Sequence, residues 1–174
     1  MKVSIEKINR KETDKIDLNF CEKIDTISYC DEIYKLASPV NLKGKVSKTN
    51  KGLYLDIDVN FTIVDNCSRC LKEVEIPLEY SIQGFLVKEE DYDEDEFEEF
   101  DPFIFDGEEI DLIDIIEQTL DFNVPHKVLC SENCKGLCQV CGANLNEEEC
   151  SCSEITNDEE YIDPRFAKLK DLFN

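Results

Sequence analysis

The cysteines are the residues of this chain whose type and spacing point most directly to chemistry, and there are ten of them. Eight fall in closely spaced pairs: Cys67 and Cys70, Cys130 and Cys134, Cys138 and Cys141, and Cys150 and Cys152. Four thiolates make the closed tetrahedral shell of a structural zinc site, and paired cysteines in a reducing compartment are typical zinc ligands. The sequence therefore predicts Zn²⁺ bound at one or two structural sites.

Two groupings of these cysteines are open at this point. The last two pairs can close one site by themselves, because only eight residues separate Cys141 from Cys150. The first two pairs would then form a second site, which joins Cys67-x2-Cys70 to Cys130-x3-Cys134. A rival grouping uses four consecutive cysteines, namely Cys130, Cys134, Cys138 and Cys141.

Little else in the sequence suggests catalysis, and we assign no catalytic residue. His126 is the single histidine and directly follows Pro125, where a structural role is expected. The chain has no glycine-rich loop of the kind that cradles phosphate. Cys21 and Cys30 are unpaired and stand among apolar residues, so we predict that they are buried small side chains and not ligands. We therefore expect a protein that is not an enzyme and has no small-molecule substrate.

Two long β-strands are predicted on either side of the first cysteine pair. Apolar residues occupy every second position from Leu53 to Ile63, and a similar alternation runs from Val74 to Ile82. These strands should pair as an antiparallel hairpin with Cys67-x2-Cys70 at its tip, and Pro77 suggests that the second strand is an edge or is bulged there. With shorter alternating segments before them, they predict an antiparallel sheet or partial barrel in the N-terminal part.

Two helices are predicted after the sheet, which gives an α+β fold with a small cysteine-rich zinc module. Asp111 can cap a helix from about Leu112 to Phe122, whose apolar face should pack on the sheet. A C-terminal helix is predicted to start at Asp163, with Pro164 in its first position. We expect a β domain over residues 1–88, an acidic linker over 89–101, and the helix and zinc-binding part over 102–174.

The charge of the chain is strongly negative and unevenly distributed. There are 19 Lys and Arg residues against 41 Asp and Glu residues, for a net charge of −22. This balance argues against a protein that coats polyanions without specificity, because phosphate binding depends on Lys and Arg. From residue 89 to residue 101, ten of thirteen residues are acidic, which is typical of a solvated linker or of a segment that contacts a basic partner.

A basic stretch interrupts the acidic composition, because no acidic residue occurs from Ile33 to Leu55. Its lysines are candidate RNA contacts: Lys43, Lys45, Lys48 and Lys51. The alternative is that they are ordinary solvated residues at a strand edge. The 174 residues include no apolar run of membrane-spanning length and no N-terminal signal peptide, so we expect a cytoplasmic protein without a membrane partner.

Four motifs, in order along nearly the whole chain, resemble the bacterial YceD family of large ribosomal RNA subunit accumulation proteins. They are Cys67-Ser68-Arg69-Cys70-Leu71, Asp106-Gly107-x2-Ile110-Asp111-Leu112, Cys134-Lys135-Gly136-Leu137-Cys138-x2-Cys141-Gly142-x-Asn144-Leu145-Asn146, and Asp163-Pro164-Arg165. The resemblance implies a non-enzymatic role in the synthesis, processing or stability of large-subunit ribosomal RNA. The implied partner is precursor RNA of the large subunit or a basic large-subunit ribosomal protein. The alternative function is an acidic, zinc-containing adaptor that binds such a protein without touching RNA.

Overall fold

The computed structural model describes residues 1–29, 32–92 and 102–154. Strands form where apolar and polar residues alternate, and the helices form where that alternation ends. The strands are β1 (Lys2–Ser4), β2 (Lys15–Glu22), β3 (Thr26–Tyr29), β4 (Glu32–Leu36), β5 (Val40–Thr49), β6 (Gly52–Asn66), β7 (Glu73–Lys88), β8 (Phe103–Phe105) and β9 (Glu109–Asp111). The helices are α1 (Glu6–Asn9) and α2 (Leu112–Thr119).

The long strand β6 organises a seven-stranded, mostly antiparallel sheet. Strands β5 and β4 pair with successive parts of one edge of β6, and β7 pairs along its other edge. Strand β2 lies outside β5, β3 lies outside β4, and β8 adds in parallel to the end of β7. Strands β1 and β9 form a separate antiparallel pair.

The predicted hairpin around the first cysteine pair is confirmed. Strands β6 and β7 are antiparallel, with Ile57 opposite Ile82, and Cys67 and Cys70 lie in the connection between them. Pro77 faces Thr62 on a part of β7 with no partner strand on its other side among the described strands. A proline is tolerated there because the free edge of a sheet does not require its missing N–H group.

Apolar and polar residues alternate along β6, so the apolar side chains at every second position lie on the face of the sheet that contacts the core. The side chains of Leu55, Ile57 and Phe61 are fully buried in a cluster that also contains Leu112 and Ile116 of α2. This shared burial places the helix and the sheet in one hydrophobic core.

Helix α2 is fixed by its cap and by one side-chain contact. The carboxylate of Asp111 accepts a hydrogen bond from the Ile113 N–H at 3.0 Å, as expected for a capping residue. The Glu117 carboxylate accepts both the backbone N–H and the hydroxyl of Ser28 on β3, each at 2.8 Å. The helix ends at Thr119, before the predicted end at Phe122, because the chain turns as the Asn123 N–H bonds to the Leu120 carbonyl.

Gly44 marks a place where β5 and β6 approach very closely. A Cβ atom at Gly44 would overlap the carbonyl oxygen of Asp56 and would lie 2.6 Å from the Cα of Ile57. Both atoms belong to the backbone and cannot move aside without distorting the sheet. Glycine is therefore required at this position for steric reasons.

The prediction that Cys21 is buried is wrong, because this side chain is exposed. On β2 the core-facing positions are Ile16, Leu18 and Phe20, so the intervening residues point to solvent. Cys30, most of the acidic linker (93–101) and the predicted C-terminal helix lie outside the described residues. Within the described ranges, no helix has the length and apolar character needed to cross a membrane.

Candidate metal centres

The first cysteine cluster lies at the tip of the β6–β7 hairpin. The sulfur atoms of Cys67, Cys70, Cys130 and Cys134 all lie within 4.8 Å of one another. The Sγ atoms of Cys67 and Cys134 are 3.8 Å apart, and those of Cys70 and Cys130 are 3.5 Å apart. A tetrahedral zinc with bonds of about 2.3 Å requires sulfur–sulfur separations of about 3.8 Å. The cluster therefore has the donor set and dimensions of a four-thiolate metal site.

The second cluster is local to the C-terminal segment. It contains Cys138, Cys141, Cys150 and Cys152, again with all sulfur atoms within 4.8 Å of one another. The eight cysteines are thus brought together as the two-site grouping predicts, and Cys134 and Cys138 fall in different clusters. The rival grouping of four consecutive cysteines does not occur. The role of these residues as metal ligands stays a prediction.

A tight backbone turn brings the side chains of Cys67 and Cys70 close together. The N–H of Cys67 donates to the carbonyl of Lys72 at 2.8 Å, and the N–H of Leu71 donates to the carbonyl of Cys67 at 2.9 Å. Leu71 has a φ of +60°, in the left-handed region that residues other than glycine seldom occupy. The two cysteines therefore sit on a closed, knuckle-like turn.

The second cluster contains the same turn. The N–H of Cys138 donates to the carbonyl of Ala143 at 2.8 Å, and the N–H of Gly142 donates to the carbonyl of Cys138 at 2.9 Å. Here the position that corresponds to Leu71 is a glycine with a φ of +75°, which adopts this conformation without a steric penalty. Both Cys-x2-Cys motifs therefore have the same backbone fold, built from unrelated intervening residues.

Direct hydrogen bonds join the hairpin tip to the C-terminal segment beside the first cluster. The N–H of Ser68 donates to the carbonyl of Val128, and the guanidinium Nη1 of Arg69 donates to the carbonyl of Cys134, each at 2.8 Å. Gly136 is packed so closely that a Cβ atom there would lie 3.2 Å from the Arg69 carbonyl oxygen. Two segments distant in sequence therefore meet at this cluster and form one unit.

The thiols of the first cluster have pKa values that are shifted in opposite directions. Burial opposes the ionisation of Cys67, but backbone N–H groups, among them that of Arg69, outweigh this effect and lower its pKa to about 6. The Lys72 N–H favours the thiolate of Cys70, but burial and the hydrogen bond with Cys130 raise the pKa of Cys70 to about 12. Ionisation of all four thiols at these distances would therefore be unfavourable unless a cation balanced their charge.

The thiols of the second cluster also have pKa values that are shifted in opposite directions. The backbone N–H groups of Cys141 and Val140 lower the pKa of Cys138 to about 6, the latter at 3.4 Å from its sulfur. The hydrogen bond with Cys141, followed by burial, raises the pKa of Cys152 to about 12. A divalent cation that bound all four sulfurs would displace the remaining thiol protons, so metal affinity should rise with pH.

The two clusters differ in their access to solvent. Three of the four cysteines in the first cluster are buried, whereas none in the second is, and Cys141 is exposed. An open groove of about 690 Å³ is lined in part by Cys138, Cys150 and Cys152. The first cluster is therefore shielded by protein, and the second can be reached by solutes.

Asn146 contacts the first cluster but was not identified from the cysteine spacing. Its side-chain amide Nδ2 donates to the sulfur of Cys134 at 3.3 Å, and its Oδ1 accepts the N–H of Lys135 at 2.8 Å. The residue belongs to the Asn144-Leu145-Asn146 motif, which was noted only through the family resemblance. No feature of the spacing indicates which asparagine reaches a sulfur atom.

Two of the four candidate RNA-binding lysines face carboxylates across the sheet. Lys43 lies opposite Asp58, and Lys45 lies opposite Asp56, with an ion pair of 3.3 Å between the Lys45 Nζ and the Asp56 carboxylate. The charge of Lys45 is therefore balanced by an ion pair, and the carboxylate opposite Lys43 makes that lysine a weaker contact for phosphate as well.

The other two lysines, Lys48 and Lys51, are exposed at the end of the β5–β6 hairpin. The four residues thus divide into two on the sheet that lie opposite carboxylates and two near the exposed turn, where Lys48 lies opposite Leu53. The pair near the turn therefore fits a phosphate contact better than the pair on the sheet.

Several relatives are similar to this chain. YlbN of Bacillus subtilis (strain 168) is 23% identical over 99% of this chain and 96% of its own length. Rv2926c of Mycobacterium tuberculosis (strain H37Rv) is 27% identical over 76% of this chain and 61% of its own length. The chloroplastic Large ribosomal RNA subunit accumulation protein YCED homolog 1 of Arabidopsis thaliana is 36% identical over 30% of this chain and 16% of its own length. No solved structure matches significantly.

A family model also matches the chain, and it covers both cysteine clusters. The model described as Large ribosomal RNA subunit accumulation protein YceD matches residues 55–173. The matched region thus includes most of β6, the whole of β7 and α2, and all eight paired cysteines, well over half of the chain. This chain therefore belongs to the YceD family of large ribosomal RNA subunit accumulation proteins.

Proposed function

We propose that this chain is a non-enzymatic ribosome-biogenesis factor, held in shape by two structural zinc ions, that promotes accumulation of large-subunit ribosomal RNA. The observation that carries this proposal is the family match over residues 55–173, which contains both four-cysteine clusters. The accumulation effect would act on the synthesis, processing or stability of the RNA.

The donor set supports zinc and a structural role. Soft thiolate ligands in a tetrahedral set favour zinc over the hard cations that prefer oxygen ligands. Catalytic zinc sites keep one position open for water, whereas four cysteine ligands would fill the shell. The four cysteines of the first cluster would hold one ion and the four of the second cluster the other. The bound ions would stabilise the conformation of the chain around them.

The most direct RNA contact we propose is the exposed end of the β5–β6 hairpin. Lys48 and Lys51 are exposed there, and the acidic remainder of the chain would repel RNA elsewhere and confine it to this end. Two phosphate contacts predict a modest salt dependence, with a slope of about 1.4 in log affinity against log salt for single-stranded RNA.

A second candidate is an adaptor that binds a basic large-subunit ribosomal protein and no RNA. It is favoured by the ion pair of Lys45 with Asp56 and by the position of Asp58 opposite Lys43, together with the net charge of −22. Such a surface offers a basic protein many carboxylates and offers RNA few unneutralised cations.

Ultraviolet crosslinking of the tagged protein in growing cells, with sequencing of the attached RNA, tests the proposal. The informative variant is Lys48→Glu with Lys51→Glu, because Glu at position 45 would face Asp56 and disturb the sheet. The matched control is Lys7→Glu with Lys23→Glu, which makes the same change of net charge at two exposed lysines.

Enrichment of large-subunit precursor RNA that falls several-fold in the hairpin variant, but not in the control, would support direct RNA binding. No enrichment in the wild type would favour the adaptor, with co-purification of a basic ribosomal protein as its test. If deleting the gene left large-subunit ribosomal RNA at its normal level, both versions of the proposed function would be wrong.

A further inference from the structure

We propose that Asn146 is a positioning residue that couples the two metal centres, because the loop closed by the second cluster holds its amide against a sulfur of the first. The proposal rests on the metal binding proposed above. It predicts that the first centre binds metal fully only when the second centre is formed.

The amide of Asn146 is held at both ends, so its orientation is determined. Its Oδ1 accepts the backbone N–H of Lys135 at 2.8 Å, which leaves the NH₂ group to donate. Nδ2 donates to the Cys134 sulfur at 3.3 Å and to the side-chain oxygen of Asn144 at 2.8 Å. The backbone N–H of Asn146 also donates to that Asn144 oxygen, at 3.1 Å. One N–H is thus directed at the sulfur by three further hydrogen bonds.

The segment that carries Asn146 is bounded at each end by ligands of the second cluster. It runs between Cys141 and Cys150, and its middle is paired with the segment between the clusters. The Leu145 N–H donates to the Gly136 carbonyl at 3.0 Å, and Leu137 and Asn144 form an isolated β-bridge. With both ends of this loop fixed by a metal, Asn146 would be confined to the place where it reaches Cys134.

A neutral N–H donor beside a thiolate stabilises its negative charge without competing for the metal. The Cys134 side chain is buried, so water contributes little to that stabilisation. Loss of such an outer contact typically lowers metal affinity about 10- to 100-fold. We expect a loss of this size at the first centre when Asn146 is changed.

The test uses the full chain loaded with cadmium-113, whose NMR spectrum should show one resonance for each centre. Asn146→Asp removes the donor and places a carboxylate near the sulfur, while Asn146→Ser is a milder variant that serves if the first fails to fold. Glu148→Gln is the matched control, because this exposed side chain lies in the same loop. We expect the resonance of the first centre to shift in the Asn146 variants, and both resonances to stay in place in the control.

Zinc release to a chelator then measures the affinity of each centre. Alkylation of the freed thiols shows which centre has opened, since Cys67 and Cys70 lie on a peptide separate from the second cluster. We expect Asn146→Asp to release zinc from the first centre at a chelator concentration about 10- to 100-fold lower. The second centre should lose only the stabilisation that it gains from a loaded first centre, because coupling between two binding sites is reciprocal. Release from the first centre at wild-type concentrations would overturn the proposal.

A double-mutant cycle with Cys150→Ser separates coupling from a purely local contact. If the second cluster holds Asn146 in place, Cys150→Ser alone weakens the first centre, and adding Asn146→Asp then has little further effect. Independent effects that simply add would refute the coupling. A wild-type chain that binds no metal would contradict the proposed zinc centres as well. A wild type that binds two ions, together with an Asn146→Asp variant whose first centre has unchanged affinity, would contradict this inference alone.

Discussion

Removal of the metal is predicted to unfold the cysteine-rich part and to leave the sheet folded. Among the described residues, the main core contains twenty-three buried apolar side chains drawn from both sheets and both helices. The cluster at the hairpin tip contains three buried residues, all of them cysteines. The two parts of the molecule therefore depend on different sources of stability.

The expected magnitude follows from these two clusters. The apolar side chains buried in the main core give the sheet a source of stability that does not involve metal, so the sheet should stay folded when the metal is removed. In residues 126–154, ordering the backbone costs about 1–2 kcal/mol for each residue, and few apolar side chains are buried there to offset it. A structural zinc contributes about 10–16 kcal/mol, so the loss of two ions should leave this segment unfolded.

Amide hydrogen exchange with mass spectrometry, before and after treatment with a chelator, measures this difference. Peptides that cover Cys67 to Lys72 and residues 126–154 should exchange at the rate of unstructured chain after chelation. Peptides from the centre of β5, β6 and β7 should keep their protection, and added zinc should restore the rest. Protection of residues 126–154 that persists without metal, or loss of the whole sheet, would refute this reasoning.

Three further predictions concern the sheet and its helix. Gly44→Ala should destabilise the fold by at least about 2 kcal/mol in denaturant unfolding, because its Cβ would meet the backbone of the facing strand, and an unchanged midpoint would contradict that close approach. Glu117→Ala should cost about 1 kcal/mol by the same measurement, because two hydrogen bonds from Ser28 are lost, and Glu117→Gln should retain part of that energy. The hydrogen bond to Glu32 raises the pKa of Tyr34 to about 12, so its contribution to stability is present below pH 10 and is lost as the pH rises through 12. Near-ultraviolet absorbance should show a phenolate that forms near pH 12, and its persistence in Tyr34→Phe would assign it to another tyrosine.

The parts of the fold that sequence reasoning found are those with long local patterns. Alternation over eleven residues from Leu53 indicated β6, and the turn that follows required an antiparallel partner. The cysteine spacing favoured two clusters, and the geometry agrees because short connections limit which sulfur atoms can meet. These features depend on chain geometry over a few residues, which the sequence records directly.

The parts that it missed depend on which strands lie side by side. The parallel pairing of β8 with β7 is not indicated by the three residues of β8. The neutralisation of Lys45 by Asp56 depends on the register between two strands, which alternation alone does not determine. Cys21 was assigned to the core by its apolar neighbours, although those neighbours face the opposite side of β2.

The count of bound zinc in the purified full chain and in its Cys67→Ser variant tests the central claim most directly. The wild type should contain two zinc ions for each chain, and Cys67→Ser should contain one, held by the second cluster, with the main sheet still folded. Circular dichroism of both proteins provides the control for folding. A wild type without zinc, or a variant that still holds two ions, would contradict the claim that one centre joins the hairpin tip to the C-terminal segment.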